Sequence, residues 1–322
     1  MKAILYHEPG DPLYVGDAPD PQPCDGELLV RVRAAGVNRA DLLQRRGGYT
    51  PPPGASAILG LEIAGEVVNP LGEFRAGDRV MAVVTGGGYA EYATVPLGVA
   101  IRIPEKLSYE EAAAIPEAFL TAHLNLFTLG RLGSNESVLI HAGGSGVGSA
   151  AIQLAKSSGA YVFTTAGSAD KLARCQALGA DVGINYKTES FVERVQAETD
   201  ERGVDVILDF VGAPYWNDNL AALALGGRLM LIGFLGGASG DLSLGAIMGK
   251  SLTITSTTLR RTPLPQKITL TQAFVSKGLP LIESGRIAPV LDRVFPLEQA
   301  NEAHRYMQNN SNFGKIVLTI AD

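Results

Sequence analysis

Cysteine is scarce in this chain of 322 residues: only Cys24 and Cys175 are present, far apart in sequence. Two distant thiols exclude a disulfide framework and a CxxC redox pair. Runs of one charge are missing as well. With 27 basic and 33 acidic side chains the formal charge is −6, and no block of five like charges occurs. A polyanion-binding protein concentrates Lys and Arg on a face or in a tail, so nucleic acid is not expected as a partner. Long apolar runs are equally rare. The N-terminus meets His7, Glu8 and Pro9 before a signal core could form. The nearest candidate span, 221–238, contains Arg228 and is broken by Gly226-Gly227 and Gly236-Gly237. It reads as helix end, turn and buried strand, not as a membrane helix. These absences lead to the expectation of a cytoplasmic protein with no membrane partner.

What is present is core material. At 46% hydrophobic and 19% charged residues the chain can bury a large interior. Its length suits about two domains. Glycine, at 38 residues, is well above its usual share of roughly 7%, which marks tight turns or close backbone approach to a ligand.

Up to about residue 105 the sequence reads as short strands between turns. Residues 28–34, 63–68 and 79–84 are strand-like, and Gly47-Gly48 and Gly86-Gly87-Gly88 separate strands. A compact β-barrel-like domain is expected. From Tyr109 to Leu129 the apolar spacing becomes helical, with Pro116 placed to split the run. Strands then alternate with helices: strands at 137–141, 161–165, 182–185, 204–209, 228–233 and 252–257, helices at 149–158 and around 171–178. That alternation predicts a parallel sheet covered on both faces, hence an α/β fold. After about residue 262 the character is mixed, with a short helix at 297–307 and a last strand at 315–320. One domain is expected to be inserted into the other, the tail rejoining the first.

The strongest local signal is the string from Leu139 to Ser149, with Gly143, Gly144, Ser145, Gly146, Val147 and Gly148 at its centre. It follows a predicted strand and opens a helix, the context a dinucleotide-binding turn requires. Small residues let the backbone approach a pyrophosphate, and free N–H groups with the helix dipole neutralise it. Ser145 stands where the middle glycine of the usual motif would be, a slight crowding of the diphosphate. The end of the next strand reports on the cofactor. An NAD site usually carries Asp or Glu about 20 residues on. Here the chain reads Ala166-Gly167-Ser168-Ala169-Asp170-Lys171, small and neutral with a cation one turn later. Ser168 and Lys171 suit a 2′-phosphate, so NADPH is the expected cofactor. Asp170 counts against this if it faces inward, and Lys171 could instead be a solvated surface charge.

A metal is not expected. A structural zinc site takes closely spaced cysteines, and a catalytic one needs converging Cys and His ligands. His7, His123, His141 and His304 are scattered, without an HxxxH or HExxH pair. Lacking a Lewis acid, the chemistry should suit an acceptor that already takes a hydride readily, such as a quinone or an activated alkene.

Several strings carry a family resemblance: 35–45 (AGVNRADLLQR), 49–55 (YTPPPGA), 59–62 (LGLE), 113–118 (AAIPEA), 141–148 and 312–317 (NFGKIV). Over essentially its whole length the chain resembles the zinc-free quinone oxidoreductases of the medium-chain dehydrogenase/reductase superfamily, most nearly the p53-inducible quinone oxidoreductase subgroup. The resemblance implies a GroES-like β-barrel catalytic domain, 1–118 completed by 263–322, and a Rossmann doubly wound domain at 119–262. It places Asn38 where zinc-dependent relatives carry a ligand cysteine, and Leu61 where they carry histidine. It implies a substrate pocket near the nicotinamide lined by Asn38 and Asp41 and closed by Tyr49, with Thr121 beside the nicotinamide. Asp41 could equally brace the following helix, and Tyr49 could be loop packing. Tyr186 is implied near the adenosine phosphate, Gly233 and Phe234 at the sheet's carboxyl edge, and Asn312 and Lys315 in a segment reaching back to the cofactor. Residues 252–258 resemble a strand that pairs between subunits, so a homodimer is implied. The resulting expectation is an NADPH-dependent quinone reductase acting by positioning and exclusion of water. The alternatives are a reductase of activated C=C bonds or a nucleotide-binding protein with little turnover, structural or RNA-binding.

Overall fold

The first part of the chain becomes sheet because its apolar residues alternate and its turns are frequent. The computed structural model describes residues 1–242 and 244–321. Its first seven strands are β1 (Lys2–Leu5), β2 (Tyr14–Asp17), β3 (Glu27–Val37), β4 (Glu62–Val67), β5 (Arg79–Val83), β6 (Tyr92–Pro96) and β7 (Ile101–Arg102). β3 is the hub, antiparallel to β4 with Val30 opposite Val67 and to β6 with Leu28 opposite Val95. Leu28, Val30 and Val32 are buried while Arg31 between them is exposed, so the period of two orients the strand. With Ile63, Val80 and Val95 they form one apolar core. The helices α1 (Arg39–Arg45), α2 (Tyr109–Ala113) and α3 (Pro116–His123) follow in chain order. Pro116 opens α3, where a missing N–H costs no bond. The α3 run continues as a π-helical turn over Leu124–Leu129.

Residues 121–258 form a compact unit of their own. Its strands are β8 (Ser137–Ile140), β9 (Tyr161–Ala166), β10 (Val182–Asn185), β11 (Val204–Asp209), β12 (Leu223–Leu231) and β13 (Thr253–Ser256). All pair in parallel, in the order β10-β9-β8-β11-β12-β13. The helices α4 (Gly146–Ser157), α5 (Ala169–Ala177), α6 (Phe191–Glu198), α7 (Trp216–Ala222) and α8 (Leu244–Gly249) lie between them in sequence. Every residue of β8 is buried, as expected of a strand covered on both faces. The strand order departs in opposite directions from β8 and β11, which opens a crevice at their carboxyl ends. One strand differs from expectation: β12 starts at Leu223, not Arg228. The pairing jumps from Leu223 opposite Val204 to Arg228 opposite Val206. The Gly226-Gly227 pair is thus absorbed as an irregularity inside the strand instead of preceding it.

The chain from 259 onward groups with residues 1–120. It contributes α9 (Leu264–Lys277), α10 (Leu279–Glu283), β14 (Leu291–Pro296), α11 (Ala300–Gln308) and β15 (Lys315–Thr319). β15 pairs antiparallel with β3, Ile316 opposite Val37, and parallel with β14. This pairing returns the tail to the first sheet. Among the described residues no helix is long and apolar enough to cross a membrane.

Candidate functional site

In the parallel-sheet unit the chain leaves β8 at Ile140 and turns through residues 141–145 into α4. Ser145 takes an extended conformation as the N-cap of α4, and its Oγ accepts the Gly148 N–H at 3.0 Å. The serine at the motif's middle position therefore closes the helix end. The next N–H groups, of Gly146 and Val147, belong to the first turn, where a helix has no internal acceptor to offer. Gly148 must be glycine: a Cβ there would lie 2.4 Å from Ala142 O and 2.8 Å from Gly143 Cα. His141 pins the loop. With Asn219 Oδ1 as acceptor for its Nε2–H at 2.7 Å, its Nδ1 accepts the Thr165 hydroxyl at 3.1 Å. Burial pushes this imidazole down to about 4, so it stays neutral.

Neighbouring strand ends bring further expected residues to the same sheet edge. Ser168 caps α5, its Oγ accepting the Lys171 N–H at 3.3 Å. A Cβ on Gly167 would sit 2.6 Å from the Tyr186 hydroxyl, so the half-exposed tyrosine after β10 lies directly against the chain after β9. Asp170 is exposed in the first turn of α5, where a negative charge favours the helix dipole. After β12, Gly233 N–H donates to Asp209 O at 3.3 Å, and Phe234 is 57% exposed. Asp209 itself escaped the sequence reading. It is fully buried at the end of β11, accepts the Val211 N–H at 2.7 Å and the Gly212 N–H at 3.2 Å, and burial raises it to about 6. The signal was an acid closing an apolar strand. Thr121, the first residue of this unit, is buried, and its carbonyl accepts from Asn125 Nδ2 at 2.9 Å.

In the other unit the expected pocket residues fall into two groups. Asn38, Asp41 and Lys315 are locked together with Glu62. The Lys315 ammonium lies 2.6 Å from Glu62 Oε1 and donates to Asn38 Oδ1 at 2.7 Å and Val37 O at 3.0 Å. Its three protons are taken by these three partners. Asn38 Nδ2 also donates to Glu62 Oε1 at 2.9 Å, and the Glu117 N–H donates to Glu62 Oε2 at 2.8 Å. Asn38 is thereby held at both ends of its amide while keeping some exposed surface. Asp41 Oδ2 accepts the Asn38 N–H at 2.8 Å and the Tyr89 hydroxyl at 3.1 Å, while Oδ1 accepts the Gly60 N–H at 3.1 Å. Asp41 is fully buried and raised to about 6, burial outweighing these bonds. It ties the start of α1 to the Gly60 turn. Asn312 Nδ2 donates to Gly314 O at 2.8 Å and shapes the turn into β15.

Tyr49 belongs to the second group. Its ring faces the Arg260 guanidinium at 5.2 Å, and Arg260 Nη1 donates to its carbonyl at 3.3 Å. Burial, then the Glu117 charge, raise its hydroxyl to about 12, so it stays protonated and able to donate. Glu117, although it keeps some exposed surface, is raised to about 8 by burial of its carboxyl and by Glu62, and is mostly neutral at pH 7. Neither Arg260 nor Glu117 stood out in the sequence, because nothing in their local strings shows what they face.

Two family models match the chain: a zinc-binding dehydrogenase model over residues 146–274 and an alcohol dehydrogenase GroES-like domain over 24–105. Among the described residues no group of three His, Cys, Asp or Glu could hold a metal, and the Lys315 ammonium already supplies the cation between Asn38 and Glu62. The rat quinone oxidoreductase is 30% identical over 99% of this chain and 98% of its own length. The mouse synaptic vesicle membrane protein VAT-1 homolog is 32% identical over 92% of this chain and 77% of its own. Among solved structures, Escherichia coli quinone oxidoreductase complexed with NADPH matches with a TM-score of 0.89 and 30% identity, covering 99% of this chain and all of that one. CurK enoyl reductase matches with a TM-score of 0.89 and 27% identity over 99% of both chains. A GroES-like sheet, a parallel nucleotide-type sheet and full-length relatives at this level make the chain a member of the medium-chain dehydrogenase/reductase superfamily of oxidoreductases, with quinone oxidoreductases among its relatives.

Proposed function

We propose that this chain reduces quinones with NADPH. The observation that carries the reading is the carboxyl edge of the parallel sheet. There the Ser145-capped turn leaves α4's first N–H groups for a pyrophosphate, and β9 ends in small neutral residues followed by Lys171. A dinucleotide fits this edge: Gly148 lets the turn pack tightly on Ala142 and Gly143 so that α4 begins at the sheet edge, and no acid stands at the end of β9 to oppose a 2′-phosphate. The N–H groups of Gly146 and Val147 would hold the pyrophosphate, with Gly148 packed against the turn behind them, Ser168 and Lys171 the 2′-phosphate, and Tyr186 the adenosine side. NADPH, when bound, supplies a hydride equivalent. The protein's own part is to orient the acceptor, exclude water and keep the Tyr49 hydroxyl protonated as a donor.

The test is direct. Purified protein mixed with NADPH or NADH and small ortho- and para-quinones should oxidise NADPH preferentially. Should no quinone oxidise either nucleotide while an enoyl compound does, the acceptor assignment is wrong. The enoyl alternative has a specific observation in its favour, since Tyr49 is a protonated hydroxyl suited to protonate an α-carbon. Tyr49→Phe separates the two: a loss confined to enones favours C=C reduction. A second copy of the chain is part of the proposal, pairing along β13, the outer strand of the six-stranded sheet.

A further inference from the structure

The turn after β10 brings another cation to the end of β9. Strand register sets this up. Asn185 pairs with Ala166, and the Tyr186 N–H donates to Ala166 O at 3.3 Å, so the chain leaving β10 runs beside the chain leaving β9. The turn is closed by its own residues. Asn185 Oδ1 accepts the Lys187 N–H at 3.2 Å, Asn185 O accepts the Thr188 N–H at 3.0 Å, and Glu189 Oε1 accepts the Asn185 N–H at 3.0 Å. Two successive side chains then reach back to one point. A Cβ on Gly167 would lie 2.6 Å from the Tyr186 hydroxyl and 3.2 Å from Lys187 Cε. The Lys187 ammonium is one bond beyond that carbon. The residue is exposed, and among the described residues its ammonium forms no hydrogen bond or ion pair.

Charge decides what such a cation is for. A phosphate monoester has its second pKa near 6 and carries close to two negative charges at pH 7. At this edge Lys171 is directly preceded by Asp170, and the two charges cancel to first order. Lys171 by itself therefore leaves a dianion facing no net positive charge. Lys187 supplies the surplus. Gly167 contributes by what it lacks. An NAD site places an acid about 20 residues after the glycine turn to hold the ribose hydroxyls. Here that place has no side chain, and the space a side chain would take is occupied by a hydroxyl and a lysine stem. We infer that Lys187 binds the 2′-phosphate of the cofactor together with Lys171. The inference rests on the NADPH reading and deepens it: discrimination against NADH is divided between the ends of two strands, and removing either lysine leaves part of it.

Adenosine 2′,5′-bisphosphate and 5′-AMP isolate this end of the cofactor. Both are titrated calorimetrically into the full chain, alongside NADPH and NADH. The wild-type protein should hold the bisphosphate more tightly than AMP, and NADPH more tightly than NADH. Lys187→Ala should weaken the bisphosphate and NADPH by roughly tenfold and leave AMP and NADH within about twofold, while Lys187→Arg restores most of the loss. With both lysines replaced by alanine, NADPH should bind no better than NADH. The pH profile gives an independent reading. From about pH 5 to 7.5 the wild-type preference for the bisphosphate over AMP should grow as the 2′-phosphate loses its second proton, and in Lys187→Ala it should grow less. A Lys187→Ala protein with wild-type affinity for the bisphosphate would overturn the inference and leave the preference to Lys171. Equal losses for the bisphosphate and AMP would overturn it too, because Lys187 would then serve a group common to both. A wild-type protein that prefers neither the bisphosphate nor NADPH would bring down the NADPH reading, and the inference with it.

Discussion

The two lysines of the candidate site do opposite jobs, and single substitutions separate them. Lys315 is 4% exposed and neutralises Glu62, itself fully buried. Lys315→Met leaves that carboxylate uncompensated and should cost about 3–5 kcal/mol of stability, measured by urea unfolding. Lys171 is half-buried on α5, and its backbone N–H rather than its ammonium takes the Ser168 cap. Lys171→Ala should weaken NADPH by roughly 1–3 kcal/mol, with NADH almost unaffected in a fluorescence titration. Equal losses for both nucleotides would remove the basis for choosing NADPH. Lys315 and Asn312 are expected at the cofactor because their string resembles one that reaches back to it. The sequence could not show that the ammonium is taken by Glu62, Val37 O and Asn38, the last 277 residues away.

At the level of elements, the nucleotide edge depends on how α4 begins. Ser145→Ala removes the cap on Gly148 N–H and should cost about 1 kcal/mol of stability. The freed N–H keeps its direction, so NADPH affinity should fall less than with Gly148→Ala. In that variant the new methyl meets Ala142 O and the helix start must move. A Gly148→Ala protein that binds NADPH normally in isothermal titration would refute the close approach assigned to this turn. Most elements of this unit were legible because each is local: β10 and β11 match the expected spans residue for residue. β1, β2, β6, β7 and β14 were not read from the sequence. They are short, and their pairing with distant strands, not their own pattern, makes them strands.

For the molecule as a whole, stability should fall with rising pH just above neutrality. Glu117 is raised from 4.5 to about 8. A folded-state pKa above the unfolded one gives a contribution that is complete below about pH 4.5 and is lost as pH climbs through 8. Asp41 and Asp209, each raised to about 6, act the same way at lower pH. His141, lowered to about 4, and His304, lowered to about 3, act oppositely, losing stability as pH drops below 6.5. Between about pH 6.5 and 8 the Glu117 contribution stands out. Urea unfolding should show a loss on the order of 1–2 kcal/mol across that window, and Glu117→Gln should flatten it. A Gln variant with the wild-type slope would mean that the Glu117 carboxyl is ionised at pH 7.

By itself the sequence determined the α/β alternation, the turn that opens α4, the neutral end of β9 and the family, because each is written in a contiguous string whose period or spacing has one physical reading. Only the tertiary structure decided what Asn38, Asp41, Lys315, Glu117 and Arg260 do. Their partners lie tens to hundreds of residues away, and a buried charge takes its meaning from whichever opposite charge, carbonyl or ring the fold sets beside it.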